Sequence, residues 1–423
     1  MTSRERVQMA IEHKEPDRVP LDLGACTVTG MHVDTVYKLR QALHLDDPGT
    51  PVKVMEPSQM LGEIKPDLME ALGVDVAGLA KPTTKFGFKN ADWKPWTTFE
   101  GTPVLVPGGF NTEPDENGDI LMYPGGDKSV PASARMPKGG FYFDSIVRQP
   151  PIDENALNIE DNLEEFGPIS EDDLEHLRRE AERLYSETDK AILANFGGTG
   201  FGDIANVPGP GVKHPKGIRD IEEWYISTVT RRDYVYKVFE RQCEIGIRNL
   251  ERIFAAVGNR VTAVYVTGTD FGQQNGPFIS VKSYRDLFKP FHREVTSWIH
   301  KNTQWKCFIH SCGSVRALLP DFIDAGFEII NPVQCSAAGM APEELKTEFG
   351  DRVTFWGGGV DTQGTLPFGT PEEVRQEVCS RLKIFGRSGG YVFNPTHNVQ
   401  TRVPVENVLA LYQAVRDFGE YPI

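Results

Sequence analysis

Cysteine is sparse in this chain. Six residues, Cys26, Cys243, Cys307, Cys312, Cys335 and Cys379, are scattered over 423 positions without a framework spacing, which excludes a disulfide-stapled secreted scaffold and suits reduced thiols. Basic charge is short as well. Lys and Arg total 45 against 60 Asp and Glu, a formal net charge of -15, so an extended nucleic-acid or anionic-membrane surface is excluded and the expected partners are a small molecule and another protein. No apolar run approaches the ~20 residues that cross a bilayer. The start Met1-Thr2-Ser3-Arg4-Glu5-Arg6 lacks the apolar core of a signal peptide, so a cytoplasmic location is expected. Internal repeats, low-complexity tracts and interdomain linkers are also absent.

Short apolar segments alternating with amphipathic ones are what the chain does have. Eight fall at residues 19–24, 74–80, 191–197, 263–267, 305–309, 328–331, 353–357 and 390–393, and from the third onward helical patterns such as 283–300, 316–325, 342–349 and 371–385 separate them. Largely apolar strands joined by helices predict a parallel sheet. Eight of them predict an α/β fold, a single (β/α)8 TIM barrel over residues 1–423, with an open doubly wound sheet as the second choice. In either fold ligands sit at the carboxyl ends of the strands. Those ends carry Gly24, Gly197-Gly198, Thr269-Asp270, His310-Ser-Cys312, Asn331-Pro332, Gly357 to Asp361 and Asn394 to His397.

His310 and Cys312 stand two apart at the lip of the fifth strand, so both side chains point to one face and can reach one ion. His397, past the eighth strand, is the candidate third ligand, with Cys335 past the sixth as its rival. Three nitrogen and sulfur ligands with a fourth position free form the pattern of a catalytic Zn2+ site. The bland reading of the pair is a buried thiol beside a capped histidine. Asp270 is a candidate catalytic group that would orient a zinc-bound histidine or protonate a leaving oxygen. Asp361 has the same two roles open to it, and for both residues a loop cap is the structural alternative. Glu56, Gln273 and Asn275 are further mouth residues. His13, His292 and His300 fall on helices away from the mouth and read as surface or capping residues.

Residues 86–150 break the alternation. The turn signal Asp115-Glu-Asn-Gly118-Asp119 lies between Val104-Leu105-Val106 and Ile120-Leu121-Met122-Tyr123, which predicts a β-hairpin inserted after the second strand, over the barrel mouth. Its ten aromatic residues, among them Phe86, Phe88, Trp96, Phe110 and Phe143, form either a lid against an aromatic substrate or the insertion's own core. Arg135 would meet a substrate carboxylate, and the loop 201–215 is a second candidate lid.

Arg4-Glu5-Arg6 with Lys14-Glu15-Pro16-Asp17-Arg18-Val19-Pro20, His310-Ser-Cys312-Gly313-Ser314, the stretch from Gly350 through Trp356 to Asp361, Gly369 to Val374 and Pro404-Val-Glu406-Asn407 together resemble the uroporphyrinogen decarboxylase superfamily. That superfamily holds porphyrinogen decarboxylases and zinc-dependent, corrinoid-linked methyltransferases. The decarboxylases carry an arginine-rich motif near the first strand, whereas this chain has no arginine between Arg18 and Arg40. The resemblance therefore implies the methyltransferase branch. There zinc is held by His-x-Cys and a later cysteine ahead of a Pro-x-x-Asn segment; here His397 stands where that cysteine would fall.

Two neutral imidazoles and one thiolate leave zinc with a formal charge of +1, a stronger Lewis acid than a set with two thiolates. Such an ion suits stabilising charge on a departing oxygen. The expected activity is O-demethylation, moving a methyl group from a methoxylated, aromatic donor to the cobalt(I) of a corrinoid (cobamide) carried by a separate protein. The alternative is transfer from methylcobamide to a thiol or tetrahydrofolate; a porphyrinogen decarboxylase and a non-catalytic binding protein are the remaining readings.

Overall fold

The computed structural model describes residues 1–423. Seven parallel strands, Val76–Ala80, Ala191–Asn195, Ala263–Thr267, Lys306–His310, Ile329–Asn331, Thr354–Trp356 and Tyr391–Val392, lie side by side in chain order. Residues 20–22 take the eighth place. Leu21 bridges Phe393 in parallel, the Asp22 N–H donates to the Phe393 carbonyl, and the Asp75 N–H donates to the Leu21 carbonyl, closing the ring between the last strand and the first. The fold is thus the expected barrel. Its first stave is shorter than residues 19–24 because Pro20 has no N–H to give a ladder and Gly24 turns the chain at φ +80°.

Strand parity sorts the core into two. Phe308, Ile329, Trp356, Val392, Val76, Leu193 and Ala263 fill the barrel interior, and Val7, Ala10 and Ile11 of the helix Ser3–Ile11 pack onto that cluster. Cys307, Ile309, Ile330 and Phe355 face outward into the larger core shared with the helices. Burial on both faces is why these strands read as continuous apolar runs.

The N-terminal motif is structural. Thr2 and Glu5 form a capping box that starts the first helix, satisfying backbone N–H groups that have no partner within it. Arg6 and Arg18 both reach Asp75, at 2.6 and 2.7 Å, and the same carboxylate accepts the Leu21 N–H at 2.9 Å. Asp75 has no solvent exposure, so this charge-paired knot pins the closing segment to the neighbouring strand.

The insertion differs from the expected hairpin. Pro103–Val106 pairs antiparallel with Lys94–Thr97 and parallel with Val52–Glu56, whereas Ile120–Met122 pairs with Ala134–Met136. The Asp115 turn does form, with the Asp115 side chain accepting from Asn117 and Asp119, but it connects a single Pro114–Ile120 bridge. The two apolar runs thus join different small sheets, a choice made by partners distant in sequence.

Five of its ten aromatics, Phe86, Phe88, Trp96, Phe110 and Phe143, settle as a core. Phe86, Phe110 and Phe143 meet edge to face at 5.7 to 5.8 Å, Trp96 packs on Phe110 and Phe88 on Phe86. None of the ten lines the cleft at the barrel mouth, so the lid expectation is corrected. Arg135 pairs with Asp119 at the surface, away from that cleft.

The helix expected over 283–300 is broken by a π turn, Tyr284–Phe288, ahead of Lys289–Asn302. His292, expected at the surface, is fully buried, meets the Tyr284 hydroxyl at 3.0 Å and is pushed down to about 3 by burial. No helix is long and apolar enough to cross a membrane.

Candidate metal centre

His310 ends its strand on the inward parity, and Cys312 follows in the loop. The Cys312 N–H donates to Asp270 Oδ1 at 2.7 Å, which draws the loop toward the end of the adjacent strand. Gly313 beside it has φ +81°, and a Cβ there would lie 2.5 Å from the Gly272 backbone, so only glycine fits. On the opposite side His397 is held between two anchored neighbours. Thr396 bonds the Val360 carbonyl through N–H and hydroxyl; Asn398 accepts from Gly30 N–H and donates to the Thr27 carbonyl and Gln59.

These anchors bring the three side chains together. Their ligand atoms all lie within 4.8 Å of one another, Cys312 Sγ is 3.3 Å from His310 Nε2, and the imidazole centroids are 5.4 Å apart at 67°. Asn331 completes the set. Its amide donates to the Trp356 carbonyl, an obligate acceptor, which leaves its oxygen facing His310 Nδ1. Nδ1 therefore carries the proton, and the lone pair on Nε2 points toward Cys312.

Burial sets the charge states. It pushes His397 down to about 3, with His310 adding to the effect, and it lowers His310 against the pull of Asp270. Burial also raises the Cys312 thiol, and Asp270 raises it further. Three neutral groups converge, as unliganded N, N, S donors do. Two imidazoles and a thiol at this spacing match the donor chemistry of zinc, and the tautomer fixed by Asn331 is the outer partner such a histidine requires.

The other expected residues divide. Asp270 lines the cleft, with Oδ1 3.9 Å from His310 Nε2. Asp361 does not line it: its N–H donates to Glu377 and its carboxylate accepts the Gln363 N–H. A catalytic role for Asp361 is corrected to a loop turn, because the seventh strand ends at Trp356 and four residues intervene. Cys335 stays out of the trio, with Sγ 3.3 Å from the Val333 carbonyl. Glu56 lines the cleft; Gln273 and Asn275 do not.

Above the trio opens a cleft of about 1320 Å³ whose walls include His310, His397, Asp270 and Tyr265. The loop 201–215 does reach it, through Asp203 and Asn206. Burial raises Asp203 to about 6, moderated by Lys85 and reinforced by Asp270. Tyr265, whose ring stacks on Phe308 and His310, was not legible as a site residue, although strand parity with Ala263 and Thr267 places it on the inner face. Asn331 is likewise recognised only from the register that sets it opposite His310.

Residues 213–418 match the family described as Uroporphyrinogen decarboxylase (URO-D). Curated relatives bearing the name uroporphyrinogen decarboxylase include one from Psychromonas ingrahamii, 34% identical over 22% of this chain and 26% of that protein. Another, from Chlorobium luteolum, is 24% identical over 44% of this chain and 52% of its own length. The matches therefore span between a quarter and half of those relatives. A solved structure described as a methyltransferase from Methanosarcina mazei superposes over 99% of both chains with a TM-score of 0.53 at 16% identity, a likeness of fold.

Proposed function

We propose, from the match of residues 213–418 to the uroporphyrinogen decarboxylase family, that the chain is a member of that superfamily and a zinc-dependent methyltransferase that demethylates a methoxylated small molecule. The observation that carries this reading is the convergence of His310, Cys312 and His397 at the carboxyl ends of the barrel strands, beneath an open cleft. Zinc, when bound there, supplies Lewis acidity that stabilises negative charge on a departing oxygen. The methyl acceptor in this reading is a corrinoid held by a separate protein.

The chain's own residues do the rest. Asn331 keeps His310 in the Nε2-donor tautomer. Asp270 holds the Cys312 backbone and faces the histidine. Asp203, held protonated at mildly acidic pH by its burial, stands in the cleft wall as a proton source for the oxygen that leaves. Tyr265 offers a ring face beside His310, which supports an aromatic donor now that the insertion's aromatics do not. Six unpaired thiols support a reducing, cytoplasmic setting.

Decarboxylation of a porphyrinogen, the activity in the relatives' names, needs cations for several carboxylates. Arg183 is the one arginine lining the cleft, and it pairs with Glu180; Arg18 is committed to Asp75, and the other cations of the lining are Lys65, Lys81, Lys85 and Lys190, which do not offer the bidentate fork of a guanidinium to a carboxylate. Elemental analysis and methyl transfer to free cob(I)alamin test the proposal. Zinc should be lost from this site in His310→Ala, Cys312→Ala and His397→Ala and kept in Cys335→Ala, and a methoxybenzene should alkylate the cobalt. Failure to hold zinc here after reconstitution, or methyl transfer only from methylcobalamin to a thiol, would overturn it.

A further inference from the structure

At the opposite end of the strand that carries His310, a second trio gathers in the layer between barrel and helices. His300 sits in the last turn of Lys289–Asn302. Cys307 is the second residue of Lys306–His310, with the outward parity that opposes His310. Glu328 directly precedes Ile329–Asn331, and its N–H donates to the Cys307 carbonyl. His300 Nε2 lies 2.9 Å from Glu328 Oε2 and 3.6 Å from Cys307 Sγ, and all three ligand atoms fall within 4.8 Å of each other.

We propose that His300, Cys307 and Glu328 form a second zinc site, with three protein donors and a fourth position open to water. A hydrogen bond to Glu328 accounts for one edge and the 3.6 Å thiol approach is an ordinary contact, so the gathering of all three ligand atoms about one point is what points to an ion. An ion at their common centre would take all three as ligands. Zinc held at about 2.0–2.3 Å from each donor sets tetrahedral ligands roughly 3.5 Å apart; the His300–Cys307 edge is already at 3.6 Å and the His300–Glu328 edge, at 2.9 Å, would open slightly. The Glu328 carboxylate already points the right way, since Lys306 takes Oε1 at 2.9 Å and the Cys307 N–H donates to Oε2 at 2.8 Å, which holds that oxygen beside His300 and the Cys307 side chain. Lys306 neutralises the carboxylate in the metal-free protein and is partly exposed, free to turn outward as the ion enters. His300 is 38% exposed, which provides an entry path and room for water as the fourth ligand. The ion would tie the end of one helix to two neighbouring strands, so its role is to hold the barrel's lower rim and its binding energy adds to folding stability.

The test uses the full-length chain. Zinc content after dialysis should be about two per chain, falling to about one in Cys307→Ser and in Glu328→Gln while the ion at His310, Cys312 and His397 remains. Cobalt(II) substitution gives an independent reading. With Cys312→Ser, thiolate-to-cobalt charge-transfer absorbance should persist through Cys307, and it should vanish in the Cys307→Ser, Cys312→Ser double variant. A zinc content unchanged by Glu328→Gln, or a Cys312→Ser cobalt protein without that absorbance, overturns the proposal, and neither result depends on Cys307→Ser folding.

Discussion

Asn331→Ala removes the acceptor that holds His310 Nδ1–H. Asn331 is 1% exposed, so water cannot replace the lost oxygen without opening the core. A buried N–H left unpaired costs about 1–3 kcal/mol, and at about 1.4 kcal/mol per tenfold in affinity the upper part of that range spans the 10- to 100-fold loss typical of an outer-sphere partner of a metal-bound histidine. Zinc affinity should therefore fall about 10- to 100-fold, because the ring can rotate or adopt the other tautomer before the metal binds. Competition against a chromogenic chelator measures the affinity, and thermal unfolding of the metal-free variant separates a loss of fold from a loss of affinity. Asn331→Asp keeps an acceptor and adds charge, so it should retain the wild-type affinity or exceed it. A folded Asn331→Ala protein that binds zinc within about twofold of wild type would refute the assignment of tautomer and partner.

Three further outcomes follow from burial. Asp22 is fully buried, bonded to Trp356 and the Ala25 N–H, and its carboxyl is pushed from 3.8 to about 7 chiefly by desolvation. Between those values the folded state keeps a proton that the unfolded chain releases, so this group's contribution is full below about pH 4 and lost as pH rises through about 7, on the order of 4 kcal/mol. Urea unfolding should show stability falling with pH across that window in wild type and a flatter profile in Asp22→Asn; parallel profiles would contradict it. Phe110→Ala should cost about 3–5 kcal/mol and lower Tm while leaving the donor KM unchanged, because Phe110 packs on Trp96 and Phe143 away from the cleft; a raised KM at unchanged stability would restore the lid reading. Asp75→Ala strips both Arg6 and Arg18 of a buried partner and should cost about 3–5 kcal/mol in denaturant titration; a loss below about 1 kcal/mol would mean the knot does not hold the barrel closed.

Local chemistry made much of this protein legible. Apolar runs of strand length between amphipathic helices lead to the barrel, because strands buried on both faces leave no polar alternation to confuse the period. The two-residue spacing of His310 and Cys312 fixes a shared face by strand geometry alone, and His397 was recognisable as an isolated imidazole at another strand's end. Where the outcome depended on partners remote in the chain, the sequence was silent or misleading. Residues 104–106 and 120–123 look like two arms of a hairpin, yet each finds a better edge elsewhere. The aromatics of residues 86–150 carry the same signature as a lid or as a core, and their mutual packing decides between the two. Asp270 and Asp361 are both strand-end aspartates by sequence; the bond from Cys312 N–H keeps the first beside His310 and Cys312, while a turn at Gln363 turns the second away.

The sequence by itself determined the barrel and the donors offered at its mouth, since these depend on periodicity and on chemistry within a few residues. Only the tertiary structure decided that His310 meets Asn331 through parallel register, that Tyr265 and Asp203 wall the same cleft, and that His300, Cys307 and Glu328 converge. Those meetings join side chains from different strands, helices and loops, and their distances are set by how the elements pack, which no local pattern encodes.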